Sequence, residues 1–309
     1  MRDRFAQARD EARAADARVQ AAPAEDLPPL HGVPCTIKEC FALTGMPNSS
    51  GLVARRGVIA QSDATTVARL RRAGAIPLGV TNVSELCMWM ETHNRVYGRT
   101  RNPYDPSRIV GGSSGGEGAI VGAGGSPFGL GSDIGGSIRM PAFFCGVFGH
   151  KPTGGLVPGT GQYPLADEGA RRYLTTGPLA RRAEDLMPLL RILAGPDGED
   201  GGCTPMPLGD PADVPIEGLR VLSVADDGLG RVSADLREAQ ERAARALEAR
   251  GAIVERARIR ELRWSLGIWS SMLGTASDTP FSQLLGNGTP VRVGYELARF
   301  VARRSPHTL

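Results

Sequence analysis

The chain has 309 residues, 41% hydrophobic and 22% charged, which fits one large or two smaller globular domains and excludes a disordered polymer. A net charge of +3, scattered along the sequence, argues against a nucleic-acid partner, and no apolar run approaches the roughly 18 residues that a membrane span needs. Five cysteines, Cys35, Cys40, Cys87, Cys145 and Cys203, form no Cys-x-x-Cys pair, and this odd, dispersed set points to a reducing, cytoplasmic compartment.

In chain order, MRDRFAQARDEARAADARVQ is polar and lacks the apolar core of a secretory signal, so residues 1–22 read as an exposed helix. AAPAEDLPPL is a proline-bearing connection, which sets residues 1–30 apart from a main domain over 31–309. Val33 to Ile37 is a short apolar run ending at Lys38 and predicts a buried strand. Asp63 is placed to cap a helix running through Arg72 and closed by Gly74, and Ala75 to Val80 predicts a further strand. Strand–helix alternation of this kind argues for an α/β fold. Thr92 to Val110, polar with two prolines, reads as a loop.

That loop enters an unusual stretch. Twelve glycines fall between Gly111 and Gly136, broken by apolar runs and without any repeat. Glycine permits positive φ and close approach of backbone to backbone or ligand. Ser113 and Ser137 each follow a Gly-Gly pair and each precede a segment that reads as a helix. From Thr153 to Gly177 a Gly- and Pro-rich segment predicts loop. Ala183 to Ala194 predicts a helix, with Pro188 imposing a kink or a late start. Residues 197–217 read as a surface excursion. Leu219 to Val224, Ser233 to Arg250 and Ala252 to Val254 then read as strand, helix and strand. Trp264, Leu266, Ile268, Trp269 and Met272 give a last helix a broad apolar face, expected to pack in a core.

GGSSGGEGA followed by GSDIGGSIRMPAFFCG and GHKP resembles the amidase signature family of serine hydrolases, particularly its fatty acid amide hydrolase branch, from about His31 to about Phe300. The resemblance implies a mixed β-sheet core covered by helices on both sides. It implies Ser137 as nucleophile, Ser113 as bridging serine and Lys38, in GVPCTIKE, as base. It further implies hydrolysis of a carboxylic amide, a fatty acyl amide among the candidates, to acid plus amine or ammonia through an acyl-enzyme. No metal and no cofactor are implied, the partner is a small-molecule amide, and a homodimer is allowed. Family members continue past the position of Leu309, so the chain resembles a C-terminally truncated member. The alternatives are an amidase subunit of a glutamine-dependent tRNA amidotransferase and an inactive fragment.

The chemistry is also legible from residue types. A serine hydroxyl needs a base, and none of His31, His93, His150 and His307 adjoins Ser113 or Ser137 in sequence. A buried lysine can serve once neutral, because burial disfavours its charged form. Only Lys38 and Lys151 are lysines, and Lys38 follows an apolar run containing Val33, Cys35 and Ile37. A proton path from Ser137 through Ser113 to Lys38 needs neighbouring polar atoms about 3 Å apart. Glu39 is expected to point away from Lys38. Amides along Ile134, Gly135, Gly136 and Ser137, at a helix start, form the expected oxyanion hole. Cys87 matches a family position near the acyl pocket, and Ser114 joins the substrate-binding set. Asp133 and Arg139, which flank the hole, are expected to form internal polar contacts and not to act on substrate, and Cys145 to lie in the core. Two rival readings are weaker. Gly111-Gly112-Ser113-Ser114-Gly115 fits the Gly-x-Ser-x-Gly elbow but lacks a strand directly before it. The glycines around Gly129 and Gly131 lack the remainder of a nucleotide-binding fingerprint.

Overall fold

The computed structural model describes residues 2–308. It divides into two units: the residues up to Met206 together with those from Ser277 onward, and Pro207–Ala276.

In the first unit, β1 (Arg2–Asp3) leads into α1 (Phe5–Ala21). The expected N-terminal helix is therefore present but starts later, because Arg2 and Asp3 pair antiparallel with Val80 and Gly79. Arg4 fixes the junction, bonding Glu11 twice, at 2.7 and 2.8 Å, and the Pro77 carbonyl at 2.8 Å. β2 (Pro34–Lys38) has Pro at its first position, where no ladder donor is lost, and buries Cys35, Thr36, Ile37 and Lys38. α2 (Thr65–Arg72) and β3 (Ile76–Thr81) follow. The expected Asp63 cap is absent. Asp63 instead accepts from the Thr44 amide and hydroxyl, and Ala64 occupies the cap position.

The predicted 92–110 loop contains a small antiparallel hairpin, β4 (His93–Asn94) with β5 (Gly98–Arg99), shaped by Asn94 accepting the amides of Val96 and Tyr97. Beyond it lie α3 (Gly115–Gly122), β6 (Phe128–Asp133), α4 (Arg139–Phe144) and β7 (Phe148–Gly149). The predicted 153–177 loop holds α5 (Glu168–Arg171), and β8 (Thr175–Ala180) begins before it was expected to end. Backbone pairing of all six β8 residues with β6 overrides the Gly-Pro content there. α6 (Leu186–Leu193) starts after a 3₁₀ turn at Ala183–Asp185, which leaves Pro188 in the first turn, where it displaces no helical donor.

The central sheet is mixed, in the order β1-β3-β2-β6-β8-β7. β3, β2 and β6 run parallel, and β1, β8 and β7 join antiparallel. α1 packs on β3, α3 on β2 and β6, and α6 on β8, giving the expected α/β architecture. The carboxyl ends of the three parallel strands converge at Lys38, Thr81 and Asp133, the edge where open α/β sheets place their sites.

The second unit is a parallel pair, β9 (Arg220–Val224) with β10 (Ile253–Ala257), joined by α7 (Ala234–Glu248). Ser233 caps α7, accepting from the Leu236 amide. α8 (Ser265–Ala276) departs from expectation: Trp264 is 61% exposed, and Leu266, Ile268 and Met272 are exposed as well. α9 (Phe281–Leu285) and α10 (Val293–Val301) complete the first unit.

Candidate active site

Lys38 ends β2 with its side chain fully buried. Its Nζ donates to Ser113 Oγ at 2.8 Å, to Ser132 Oγ at 3.0 Å and to the Ser132 carbonyl at 3.4 Å. Residues 75 and 94 positions apart in sequence thus meet where β2 and β6 end side by side. Glu39 turns the other way, as expected, and accepts from the Ser49 amide and hydroxyl, the Ser50 amide and the Tyr97 hydroxyl. Burial pushes its carboxyl up to about 7 despite those four donors.

Ser137 lies at the turn between β6 and α4 and is 6% exposed. Its carbonyl accepts from the Ser114 amide at 3.1 Å, which ties the two Gly-Gly-Ser turns together. The first half of the expected relay, Ser113 to Lys38, is therefore a hydrogen bond. The second half, Ser137 to Ser113, forms none among the described residues. Catalytic hydrogen bonds are often long in the free enzyme and tighten around substrate. Ser114 Oγ bonds the Ser132 carbonyl at 3.2 Å, so this hydroxyl braces α3 against β6.

Asp133 organises the turn. Oδ1 accepts the Gly136 amide at 2.8 Å, and Oδ2 the Ile138 and Arg139 amides at 3.0 and 3.2 Å. The Arg139 guanidinium grips both oxygens, at 2.9 and 3.0 Å, so the internal polar contacts expected of these two residues are made with each other. Burial pushes the Asp133 carboxyl upward, but Arg139 and the amides outweigh it and hold it below the ordinary range. Gly136 sits at φ +122°, which favours glycine. Its amide is engaged by Asp133, whereas, of the other amides in the expected oxyanion set, those of Gly135 and Ser137 take no partner among the described residues.

Sequence reasoning missed the layer beneath Lys38. Glu117, on α3, is fully buried between two strands, accepting from Thr36 Oγ1 at 2.5 Å and Thr81 Oγ1 at 2.6 Å. Burial pushes its carboxyl up to about 7 against the pull of these hydroxyls and of Lys38. A Cβ on Gly129 would overlap Glu117 Oε2, so that glycine makes room for the acid. Ser132 was also overlooked, although it accepts from Lys38 through two atoms. A glutamate inside an otherwise apolar, glycine-rich helix was the available signal.

Cys87 is half-buried, with Sγ 3.4 Å from Ser50 Oγ. Cys145 is buried beside the Val110 carbonyl, as a core residue. No histidine bonds Ser113 or Ser137 among the described residues; His31 bonds the Ala15 carbonyl and His307 bonds Glu85. The elbow reading fails because no strand runs into Ser113, and Gly129 and Gly131 lie inside β6, not in a phosphate loop. Among the described residues no helix is long and apolar enough to cross a membrane.

Comparison with known proteins places these features in a family. The family model described as Amidase matches residues 3–297. Fatty-acid amide hydrolase 2-A of Danio rerio is 46% identical over 100% of this chain and 60% of its own length. Fatty-acid amide hydrolase 2 of Homo sapiens is 44% identical over 99% of this chain and 59% of its own. Among solved structures, native peptide amidase from Stenotrophomonas maltophilia superposes with a TM-score of 0.78 at 29% identity, covering 96% of this chain and 62% of that one. The chain thus spans about three fifths of the length of the relatives it matches.

Proposed function

The chain belongs to the amidase family, and from this premise we propose that it hydrolyses a carboxylic amide through Ser137, Ser113 and Lys38. The observation that carries the reading is the 2.8 Å bond from Lys38 Nζ to Ser113 Oγ, fully buried beside a second Gly-Gly-Ser turn. Ser137 Oγ attacks the amide carbon while its proton passes to Ser113 and that of Ser113 to Lys38 in its amine form. The Gly135 and Ser137 amides receive the charge that develops on the carbonyl oxygen. As the C–N bond breaks, the proton returns through Ser113 to the leaving nitrogen. Water then repeats the attack on the acyl-serine and releases the acid. Ser132 holds Lys38 in line for both transfers.

Fatty acyl amides are the substrate class we favour. The relatives matched across the whole chain are named for that activity. Met88, Trp89 and Met90, exposed beside Cys87, offer an apolar approach to the site. With all five cysteines free, a reducing cytoplasm is the setting that fits.

A fluorophosphonate probe should label Ser137 covalently, and Ser137→Ala should abolish both labelling and amide hydrolysis. Label that persists in Ser137→Ala, or that maps to Ser113, would overturn the assignment of the nucleophile.

A further inference from the structure

The proposed reaction is confined to the carboxyl ends of the parallel strands. At the opposite, amino end of β3, α1 and the end of α2 border an open cavity of about 330 Å³. That volume falls within the range of about 300–1,000 Å³ typical of small-molecule sites. α1 turns Glu11, Ala14, Ala15 and Arg18 toward it, residues spaced three and four apart and so on one helix face. α2 ends at the cavity with Arg71 and Arg72. A turn closed by the His31 amide on the Pro28 carbonyl, at 2.9 Å, forms the third side. His31 is fixed there by the 3.0 Å bond between its Nε2 and the Ala15 carbonyl. The reaction proposed above uses none of these residues.

Charges that are scattered in the sequence converge here. Three guanidinium groups, of Arg18, Arg71 and Arg72, line the cavity against one carboxylate, that of Glu11, which leaves two positive charges in excess. The carboxylate is already engaged, both of its oxygens accepting from Arg4, at 2.7 and 2.8 Å. Arg71 reaches Glu11 and Asp63 only at 3.3 and 3.4 Å, and Arg18 spends one donor on the Asp26 carbonyl at 3.3 Å. The exposed Arg72 side chain makes no hydrogen bond or ion pair among the described residues. Each guanidinium carries five N–H donors, so most of them remain unspent. The carbonyls of Ala73 and Gly74, which would repel an anion, are covered by the amides of Leu30 and Gly32, at 2.8 and 3.0 Å.

We propose that this cavity binds a phosphate monoester group, carried by a small apolar molecule or by a lipid headgroup. Guanidinium forks pair bidentately with either phosphate or carboxylate oxygens. Charge decides between the two. A phosphate monoester carries about −1.5 to −2 charges at pH 7 and three acceptor oxygens, which matches the excess in the cavity, whereas a carboxylate brings a single charge and two oxygens. Ala14, Ala15, Pro28 and Ile76 supply apolar wall for the organic part of the ligand. A phosphate held by Arg18 on one side and by Arg71 and Arg72 on the other joins α1 to α2, and it leaves Lys38, Ser113 and Ser137 untouched at the far edge of the sheet.

The test is calorimetric titration of the chain with phenyl phosphate, in parallel with co-sedimentation on phosphatidylcholine vesicles with and without phosphatidic acid. Saturable binding of one phenyl phosphate per chain is expected for a soluble ligand, and binding that appears only with phosphatidic acid assigns the headgroup. In whichever arm binding occurs, Arg72→Gln should weaken it by about tenfold or more, the loss of one charge-assisted hydrogen bond. Arg72 has no partner to lose, so its exchange spares the fold, and Arg18→Gln gives a second, independent loss. Arg13→Gln, on α1 but outside the cavity and paired with Asp10, should leave binding unchanged. Absence of binding in both arms overturns the proposal. Equal weakening by Arg13→Gln and Arg72→Gln also overturns it, because attraction is then non-specific. Benzoate that binds as tightly as phenyl phosphate overturns the preference for phosphate.

Discussion

At the residue scale, the contact that defines the site joins a lysine to a serine 75 positions away. Lys38 should therefore be more sensitive to substitution than any histidine. Lys38→Ala is expected to lower kcat/KM for an amide by about 10²–10⁴-fold. His150→Ala should leave it within a few-fold, since His150 is tied to the fold by a backbone bond to the Pro178 carbonyl. Equal losses in the two variants, with both proteins folded, would contradict a lysine base. Lys38 was legible in the sequence because one of only two lysines in the chain ends an apolar strand. Ser113 and Ser137 were legible because glycine pairs precede both. Glu117 left only a faint trace, as a glutamate inside an apolar, glycine-rich helix, and Ser132 left none, because their partners are set by strand pairing. The commitment of the Gly136 amide to Asp133 was hidden for the same reason.

At the element scale, the strand hardest to read was β6. FGLGSD carries two glycines, and strand propensity is low there. The physical reason appears only once its neighbours are in place. A Cβ at Gly131 would press on Leu179 and Ser114, and one at Gly129 on Glu117. β6 is thus a central strand thinned so that α3 can lie close to it. Gly129→Ala should destabilise the fold by about 1–3 kcal/mol, the usual cost of overpacking, read as a lower denaturation midpoint. Glu117→Ala in the same chain should recover part of the loss by removing the overlap. Independent, additive losses would show that the two residues do not meet. β2, β3 and α6 were readable because their apolar periods and Pro188 act locally. β8 was obscured by Gly177 and Pro178, which its partner strands tolerate.

At the scale of the whole molecule, two buried carboxyls set how stability depends on acidity. Burial first, opposed by hydroxyl and amide donors, brings Glu39 and Glu117 up to about 7 from 4.5. A carboxyl that holds its proton more tightly when folded favours the fold at low pH. Between about 4.5 and about 7 the unfolded chain has released that proton and the folded chain has not, so stability falls as pH rises through this window and levels off above it. Each group contributes on the order of 3 kcal/mol to the fall. Urea unfolding across the window should show this slope, and Glu117→Gln should reduce it. A slope unchanged by Glu117→Gln would mean that Glu117 keeps an ordinary carboxylate titration. The second unit is legible in its strand–helix–strand order, whereas the exposure of the α8 face is not, because an amphipathic period states that a face is apolar and not what meets it.

The clamp on Glu85, from His307 Nδ1 at 2.7 Å and from the Thr308 amide and hydroxyl, both at 2.8 Å, also bears on the order in which the molecule is made. Lys38, Ser113 and Ser137 leave the ribosome early, and every strand of the central sheet is present by Ala180. The turn carrying Cys87 must wait for a partner 222 residues further along. Until then Leu86 and Cys87, at φ +53° and +59°, have no such anchor for their left-handed backbone, and contacts so distant in sequence form late. A nascent chain stalled with residue 300 just emerged should already protect the sheet from protease. It should still be cut near Met88–Glu91, and that cleavage should vanish once Thr308 is free to dock. Equal protection at both lengths would show that the turn sets without its distant clamp.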